Sequence, residues 1–365
     1  MGEHHSRSEL SMTAFTKWCP AETGIKTFSQ AEAAINLALT RMRQKKIELL
    51  QYHAWDYTDD TYLFNLTHLQ KLQTQGKIGL IGLTNTDAAH LQLLVDSGFK
   101  IATNQVSCSV IDRRTTRGRL STVCNENNVK ILAYGTLLGG YLSEKWVGAP
   151  EPTDQKALNW SLRKYLRFIN AAGGWNAFQV VLTTLSHIAE KHHVPIAAVA
   201  TRYVLDLPSV AAVIVGSRLS AESDKYTASN LATFNFTLDD KDRELIAKAQ
   251  EGLSDLPGDC GDEYRRKPYL TASGDLSDHL DSEVTLKVEK AVREGKRIEY
   301  SSGSHWEPIA VRFILYIQIY CVANTYRAIV APYGRVVQSE FPAPLQTHLY
   351  LNLRLLEVAQ QAVRQ

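Results

Sequence analysis

The stretch LLQYHAWDY (residues 49–57) ends an apolar run with the imidazole of His53, and Trp55 follows two residues later. An imidazole N–H can stabilise negative charge that develops on a carbonyl oxygen, and the same ring can donate or accept a proton. A lone histidine at a strand end is more often a buried side chain with a satisfied hydrogen bond. Polar residues elsewhere in the chain decide between these two interpretations.

Polar side chains end almost every other apolar run as well. They are Lys17, Thr84, Asn85, Asn104, Gln105, Tyr134 and Ser217, the last preceded by Gly216. In a barrel of alternating strands and helices, the carboxyl ends of the strands meet at one face, where the active site lies. An open sheet would gather its polar ends at one switch point instead. The recurrence therefore favours a barrel with a functional site at this face.

Six apolar, β-rich runs alternate with segments of helical spacing before residue 240. The runs are 14–18, 47–53, 78–85, 101–107, 129–135 and 210–216. The helical segments are 29–44 with a Ser29 cap, 62–77 and 86–98 ending in Gly76 and Gly98, 177–193, 195–206, and 237–251 with a Thr237 cap. This alternation predicts an α/β fold of the (β/α)8 TIM-barrel type, with six of the eight βα units recognisable.

The composition excludes several other classes of protein. The net charge of +2, without long blocks of one sign, gives no reason to expect a nucleic-acid partner. The five cysteines lack a CxxC pair, so neither a metal site nor a disulfide framework is predicted. Residues 1–12 do not resemble a signal peptide, and the most apolar run, 313–323, is too short to cross a bilayer. We expect a cytoplasmic protein without a membrane partner, and no feature indicates an oligomeric state.

A long connection, residues 140–176, follows the fifth apolar run. Long loops in compact domains are usually lids or binding loops. The three tryptophans of this connection, Trp146, Trp160 and Trp175, could line a substrate pocket or anchor the loop, and both interpretations stay open. For the substrate pocket we single out Trp146 together with Trp55.

Taken in order, the strand ends resemble those of the aldo-keto reductase family between residues 14 and 275. TKW (16–18) and LLQYHAWD (49–56) are similar to the strands that carry the family's catalytic lysine and histidine. GLTN (82–85), NQVS (104–107) and AYGTLLGG (133–140) resemble the segments that contact the nicotinamide. The resemblance implies catalytic roles for Lys17 and His53. It also implies that Thr84, Asn85 and Gln105 bind the nicotinamide carboxamide and that Tyr134 stacks on the nicotinamide ring.

IVGSRLSAES (214–223) with SNL (229–231) resembles the family's phosphate-binding segment. This implies that the cofactor phosphate is bound by Gly216, Ser217, Arg218 and Asn230, and that Arg218 favours NADPH through a charge-assisted contact to the 2′-phosphate. The reaction implied is the reduction of a small aldehyde, ketone or sugar to an alcohol. In it the histidine polarises the carbonyl, and a tyrosine beside a lysine donates the proton.

The family's aspartate and proton-donating tyrosine lie on its first two βα units, before the lysine strand. Only 16 residues precede Lys17, so we expect two strands, the aspartate and the tyrosine to be missing. Tyr52 is no substitute, because it precedes His53 on the strand and should point to the opposite face. Two functions follow as alternatives: an NADPH-dependent carbonyl reductase of doubtful activity, or a catalytically silent NADPH-binding regulator or sensor.

The C-terminal part of the chain differs from this barrel pattern. Residues 259–280 resemble the tail of one bacterial and fungal aldo-keto reductase subgroup, whereas 284–310 and 326–337 weakly resemble the start of a RidA-like deaminase domain. Deaminase chemistry on imines is therefore a third interpretation. The tail is expected to supply strands to the open barrel edge, to fold poorly, or to reflect an incomplete reading of a longer protein. The predicted units are a barrel and an extension, 1–280 and 281–365.

Overall fold

The computed structural model describes residues 13–20, 26–55, 57, 60–154, 156–216, 223–265 and 319–322, and for 223–225 and 319–322 it describes the backbone alone. Most of the predicted extension, 281–365, and both of its RidA-like segments lie outside these residues. The domain boundary at residue 280 therefore stays a prediction.

Six parallel strands form the sheet, and each pairs with the next along the chain. They are β1 (Thr16–Trp18), β2 (Ile47–Tyr52), β3 (Ile78–Thr84), β4 (Thr103–Ser107), β5 (Lys130–Tyr134) and β6 (Val210–Val215). The register sets Tyr52 level with Trp18, and Gln105 level with Thr84. The carboxyl ends of neighbouring strands therefore lie side by side, as the predicted site requires.

Helices lie between successive strands and after β6, which confirms the predicted α/β alternation. Within the described residues they are α1 (Phe28–Met42), α2 (Thr61–Thr74), α3 (Ala88–Asp96), α4 (Arg114–Arg117), α5 (Leu120–Glu126), α6 (Trp160–Ala171), α7 (Gly174–His192), α8 (Ile196–Leu205), α9 (Ser223–Leu231) and α10 (Asp240–Gln250). The connection 140–176 is not a plain loop, since it contains α6 and the start of α7. No helix in the described part of the chain is both long and apolar enough to cross a membrane.

The predicted caps of the first and last of these helices were wrong by two residues. The side chain of Thr27, rather than Ser29, accepts from the backbone N–H of Gln30, and the Gln30 side chain bonds back to the Thr27 N–H. Asp239, rather than Thr237, caps α10 in the same reciprocal way. In each case the capping box satisfies two backbone N–H donors at the start of the helix. A single hydroxyl at the predicted position would not satisfy both.

The sheet does not close into a barrel within the described residues. β1 pairs only with β2, while the outer side of β6 pairs with a short antiparallel strand, β7 (Ile319–Val322). This pairing agrees with the alternative in which the tail supplies a strand to the open edge, and the edge is that of β6. An added strand satisfies backbone groups that an edge strand leaves unpaired.

The long connection is anchored by a cluster of aromatic side chains. The ring of Trp146 lies 4.9 Å from that of Tyr141 and 5.8 Å from that of Trp175, measured between centroids. Trp175 is buried, and its indole N–H donates to the backbone oxygen of Ala149. These contacts favour the anchoring interpretation of the loop tryptophans, and a substrate contact of Trp146 stays a prediction.

Candidate active site

The predicted catalytic and nicotinamide-binding residues all lie in neighbouring strands or directly after them. Lys17 is in β1, His53 and Asn85 directly follow β2 and β3, and the other three belong to strands: Thr84 in β3, Gln105 in β4 and Tyr134 in β5. Gly216 follows β6, and Asn230 is the penultimate residue of α9. The remaining two phosphate-binding residues, Ser217 and Arg218, lie outside the described residues.

His53 is buried between polar and aromatic neighbours. Its Nδ1 atom is 3.7 Å from the sulfur of Cys19, its Nε2 atom is 3.5 Å from the amide nitrogen of Asn85, and its ring centroid is 4.6 Å from that of Trp55. Burial lowers the pKa of His53 well below its usual value, and the charges of Lys17 and Arg265 act in the same direction. The ring is therefore neutral near pH 7. Because the amide nitrogen of Asn85 can only donate, Nε2 accepts from it, and the N–H that the ring can donate lies on Nδ1, next to the sulfur of Cys19.

Lys17 has an unusual electrostatic environment. Desolvation lowers its pKa to about 8, Cys19 opposes this change, and the ammonium group of Lys164 adds to it. Lys17 is nevertheless exposed to solvent, which limits this desolvation. No carboxylate of the described residues forms an ion pair with Lys17.

Two of the three predicted carboxamide ligands carry buried atoms without a partner. Thr84 is 1% and Gln105 is 4% exposed, yet the Thr84 hydroxyl and the Gln105 side-chain oxygen make no hydrogen bond. Leaving such groups unsatisfied costs about 1–3 kcal/mol each. The observation fits an amide ligand, such as the nicotinamide carboxamide, that the two groups would hold.

The third predicted ligand, Asn85, is held by its neighbours in a left-handed backbone conformation, with φ of 55°. The Tyr134 hydroxyl donates to its side-chain oxygen at 2.9 Å. Burial, together with the nearby Tyr264 and Glu263, keeps the pKa of Tyr134 well above its usual value, so this donor remains protonated. Asn85 and Tyr134 are therefore fixed relative to each other before any ligand binds.

Two further polar residues of the site were missed by the sequence analysis. Lys164 projects from α6, and Tyr264 belongs to a 3-10 turn, Asp262–Tyr264. The Lys164 ammonium donates to the Tyr264 hydroxyl at 2.8 Å and lies 5.3 Å from the centroid of the Tyr134 ring. The sequence offered one signal, a lysine among the apolar residues of α6. A charged side chain is rarely buried without a partner, so a lysine at this place indicates a specific contact.

The turn that carries Tyr264 is fixed by a buried ion network. Arg114 is bound by Asp112 at 2.8 Å and by Glu263 at 2.7 Å, and all three side chains are almost completely buried. Burial alone would raise the pKa of Glu263, but the Arg114 guanidinium outweighs it and lowers that pKa. Arg265 adds a hydrogen bond to the backbone oxygen of Asn85. The turn is thus attached to the start of α4 and, through the residue that follows it, to the end of β3.

The structure is an α/β fold of barrel type with polar side chains gathered where its parallel strands end. The family model described as the aldo/keto reductase family matches residues 11–251, which is about two thirds of the chain. The protein therefore belongs to the aldo-keto reductase family, as its strand ends predicted. No group of three or more metal-binding side chains occurs in the described part of the chain.

Two curated proteins are similar in sequence to parts of the chain. A flagellar radial spoke protein 5 from Chlamydomonas reinhardtii is 32% identical over 179 residues, covering 44% of this chain and 33% of that protein. An NADH-specific methylglyoxal reductase from Escherichia coli is 24% identical over 187 residues, covering 51% of this chain and 52% of that protein. The chain thus spans a third of the first relative and about half of the second.

Solved structures of aldo-keto reductases share the fold. A glycerol dehydrogenase from Gluconobacter oxydans has a TM-score of 0.54 at 20% identity, covering 71% of this chain and 78% of its own. A thermostable aldo-keto reductase in complex with the inhibitor epalrestat has a TM-score of 0.51 at 20% identity, covering 68% and 75%. At this identity the similarity establishes the fold alone.

Proposed function

We propose that the protein is an NADPH-dependent oxidoreductase that reduces the carbonyl group of a small aldehyde or ketone. The observation that carries this proposal is the pair of buried, unpartnered polar atoms on Thr84 and Gln105, which lie level with each other on neighbouring strands. Burying a pair of apolar side chains at these positions would cost less free energy. Hydrogen bonds from an amide-bearing ligand would offset the cost of burying the two polar groups.

The side chains have separate roles in the proposed reaction. When bound, the reduced cofactor supplies a hydride to the carbonyl carbon. Thr84, Asn85 and Gln105 orient the carboxamide, and Tyr134 provides a ring against which the nicotinamide packs. His53 donates a hydrogen bond to the carbonyl oxygen, where negative charge develops, and buried donors of this type stabilise such charge strongly. Lys17 adds positive potential from β1.

The choice of NADPH rests on the resemblance of residues 214–223 to a phosphate-binding segment with Arg218. The E. coli relative is, by its name, specific for NADH. Both cofactors therefore belong in the first titration. Methylglyoxal, the compound in the name of that relative, is the first carbonyl to test, followed by simple aldehydes, ketones and sugars.

A second function, that of a silent NADPH-binding regulator or sensor, is supported by a specific observation. The similarity to a protein named for the flagellar radial spoke is compatible with a role other than turnover. Binding of NADPH without reduction of any carbonyl would favour this alternative.

The experiment is a cofactor titration of the full chain, followed by tryptophan fluorescence, with Gln105→Leu as the test variant. We expect NADPH to quench the wild-type signal and Gln105→Leu to bind it at least about tenfold more weakly, as the loss of a buried hydrogen bond predicts. Thr103→Val is the matched control, because Thr103 lies in the same strand and also carries a hydroxyl without a partner. It should bind NADPH as the wild type does.

Stability measurements separate a ligand site from a packing defect. Both variants remove a buried polar atom without a partner, so both should be as stable as the wild type or more stable. Cofactor binding that is unaffected by Gln105→Leu, or absent from a folded wild-type sample, would contradict the proposed carboxamide site. Reduction of carbonyls by the wild type would then separate an enzyme from a silent binding protein.

A further inference from the structure

Lys164 is a buried cation without a counterion among the described residues. Its side chain is 5% exposed, and no carboxylate in the described part of the chain forms an ion pair with it. Arg114, a second buried cation, is by contrast bound by both Asp112 and Glu263. Burying a lone charge costs free energy unless a partner of opposite charge compensates for it. The Lys164 ammonium lacks this compensation.

The ammonium of Lys164 also has hydrogen-bond donors to spare. An ammonium group carries three N–H donors, and within the described residues one of them donates to the Tyr264 hydroxyl, at 2.8 Å. The other contacts of the nitrogen are with ring faces, at 5.0–5.8 Å from the centroids of Tyr134, Tyr165, Phe168 and Tyr264. Ring faces attract a cation but do not accept its N–H groups as a carboxylate does. Two donors are therefore left for a ligand.

The surroundings keep Lys164 protonated. Desolvation alone would lower its pKa, but Tyr264, Tyr165 and the carboxylate of Glu263 outweigh it and raise the pKa above its usual value. Glu263 forms its ion pair with Arg114 rather than with Lys164. The positive charge of Lys164 therefore persists at neutral pH without an ion pair in the described part of the chain.

The positive charge extends over the rest of the site. Desolvation is the main cause of the lowered pKa values of Lys17 and His53, and cations add to it in both cases. Lys164 acts on Lys17, whereas Lys17 and Arg265 act on His53. A cleft with cations on its walls attracts anions. The electrostatics of the site therefore favour a negatively charged ligand.

A small ligand can reach both the ammonium and the imidazole. Tyr134 and Tyr264, whose rings contact Lys164, are only partly buried. The Lys164 nitrogen is 5.0 Å, and the His53 ring centroid 5.9 Å, from the centroid of the same Tyr264 ring. A molecule with two polar groups a few bonds apart can therefore contact His53 with one group and Lys164 with the other.

We propose that Lys164 binds a carboxylate of the substrate, and that the protein acts on small oxo acids, in which a carboxylate lies a few bonds from the carbonyl group. The proposal rests on the proposed function, in which His53 donates to the carbonyl oxygen. The carboxylate accepts the remaining N–H donors of Lys164, and charge-assisted hydrogen bonds of this kind are roughly twice as strong as neutral ones. Lys164 is then a specificity-determining residue with no part in hydride or proton transfer.

A cofactor phosphate is the other anion to be considered as a partner of Lys164. The ammonium lies 5.3 Å from the centroid of the Tyr134 ring, on which the nicotinamide is proposed to pack. A carbonyl carbon must lie against the nicotinamide to accept its hydride, whereas the cofactor phosphates are separated from that ring by a ribose. The position of Lys164 beside Tyr134 therefore favours the substrate carboxylate.

The test is a calorimetric titration of the cofactor-free full chain with two oxo acids and their neutral methyl esters. Pyruvate and levulinate hold the carboxylate at different distances from the ketone, and each ester keeps the ketone but loses the charge. We expect at least one acid to bind about tenfold or more tightly than its ester, as a hydrogen bond to a charged group predicts. Added salt should weaken this preference. Equal binding of acid and ester in both pairs would overturn the proposal.

Substitutions of Lys164 assign the preference to its charge. Lys164→Met and Lys164→Gln should bind acid and ester equally, whereas Lys164→Arg should keep most of the preference. Lys145→Met is the matched control, because the Lys145 ammonium also lies over an aromatic ring, that of Trp146, but is exposed. It should keep the ratio of the wild type. An unchanged ratio in Lys164→Met or Lys164→Gln would contradict the proposal, since a lysine retained only for packing gives this result.

Cofactor binding distinguishes this proposal from the proposed function. Lys164→Met should bind NADPH as the wild type does. Weaker NADPH binding together with an unchanged ratio of acid to ester would assign Lys164 to a cofactor phosphate and overturn the carboxylate site. If the wild type does not bind NADPH, the oxidoreductase function fails, while the ratio still decides whether Lys164 binds a carboxylate. If the wild type reduces methylglyoxal but prefers neither acid, only the carboxylate site fails.

Discussion

Gly261 lies so close to the end of β3 that a Cβ atom on it would come within 2.1 Å of the backbone oxygen of Asn85. The same glycine has a φ of 92°, a left-handed conformation that side chains other than hydrogen disfavour. Two independent requirements therefore converge on one residue. The turn that carries Tyr264 can rest against the predicted carboxamide ligand only because this position lacks a side chain.

Gly261→Ala should accordingly destabilise the protein by at least about 3 kcal/mol, from backbone strain together with displacement of the turn. Gly98→Ala is the matched control, because Gly98 has a φ of 86° but no atom near its missing Cβ. The control should cost only about 1–2 kcal/mol. Urea unfolding measures both, and equal losses in the two variants would mean that the turn does not press on Asn85.

The sequence allowed the strand ends to be predicted but not the turn that closes over them. His53 and Gln105 could be predicted because apolar runs with polar ends are a local sequence pattern. Lys164 and Tyr264 meet across 100 residues, and neither stands in a pattern that points to the other. The caps of α1 and α10 were misplaced because Thr27 and Ser29, like Thr237 and Asp239, are all acceptable caps by residue type.

The buried network around Arg114 gives a second prediction. Arg114→Met leaves the carboxylates of Asp112 and Glu263 buried without their shared cation, so it should cost about 3–5 kcal/mol. Glu48→Gln, which breaks a pair between a half-buried Glu48 and an exposed Lys46, should cost about 0–1 kcal/mol. Thermal or urea unfolding provides the comparison, and a loss for Arg114→Met as small as that of the surface control would contradict the role of the network.

His53 should make the stability of the protein depend on pH. Its pKa in the folded state lies below the unfolded value of 6.5, so below pH 6.5 the unfolded chain binds more protons. This contribution to stability is complete above pH 6.5 and decreases as the pH falls towards the folded pKa, with a slope of up to about 1.4 kcal/mol per pH unit. The sign is the opposite of that for a histidine stabilised by a carboxylate.

The measurement is urea unfolding of the wild type and His53→Asn at pH 7.5, 6.5 and 5.5. His53→Asn should lose less stability between pH 6.5 and 5.5 than the wild type does, since the asparagine does not titrate. His187→Asn, at an exposed histidine of α7, is the control for removing a histidine as such. If the free energy of unfolding depends on pH equally in the wild type and His53→Asn, the His53 ring is in solvent rather than among buried neighbours.

Lys164 should distinguish between the two redox states of the cofactor. Its ammonium lies 5.3 Å from the centre of the Tyr134 ring, against which the proposed nicotinamide packs. The oxidised ring carries a positive charge and the reduced ring does not, so a nearby cation disfavours NADP⁺ relative to NADPH. Lys164→Met should therefore reduce the preference for NADPH by about tenfold or more, mainly through tighter binding of NADP⁺.

The control for this prediction is Lys145→Met, because the Lys145 ammonium also lies over an aromatic ring, that of Trp146, at 4.8 Å. Trp146 belongs to the cluster that anchors the long connection, so the control should leave the ratio of the two dissociation constants unchanged. Fluorescence titrations with NADPH and NADP⁺ give this ratio for each variant. If Lys164→Met and Lys145→Met have the same ratio as the wild type, the nicotinamide does not lie near Lys164. Packing of the nicotinamide on Tyr134 would then be wrong even if the cofactor binds.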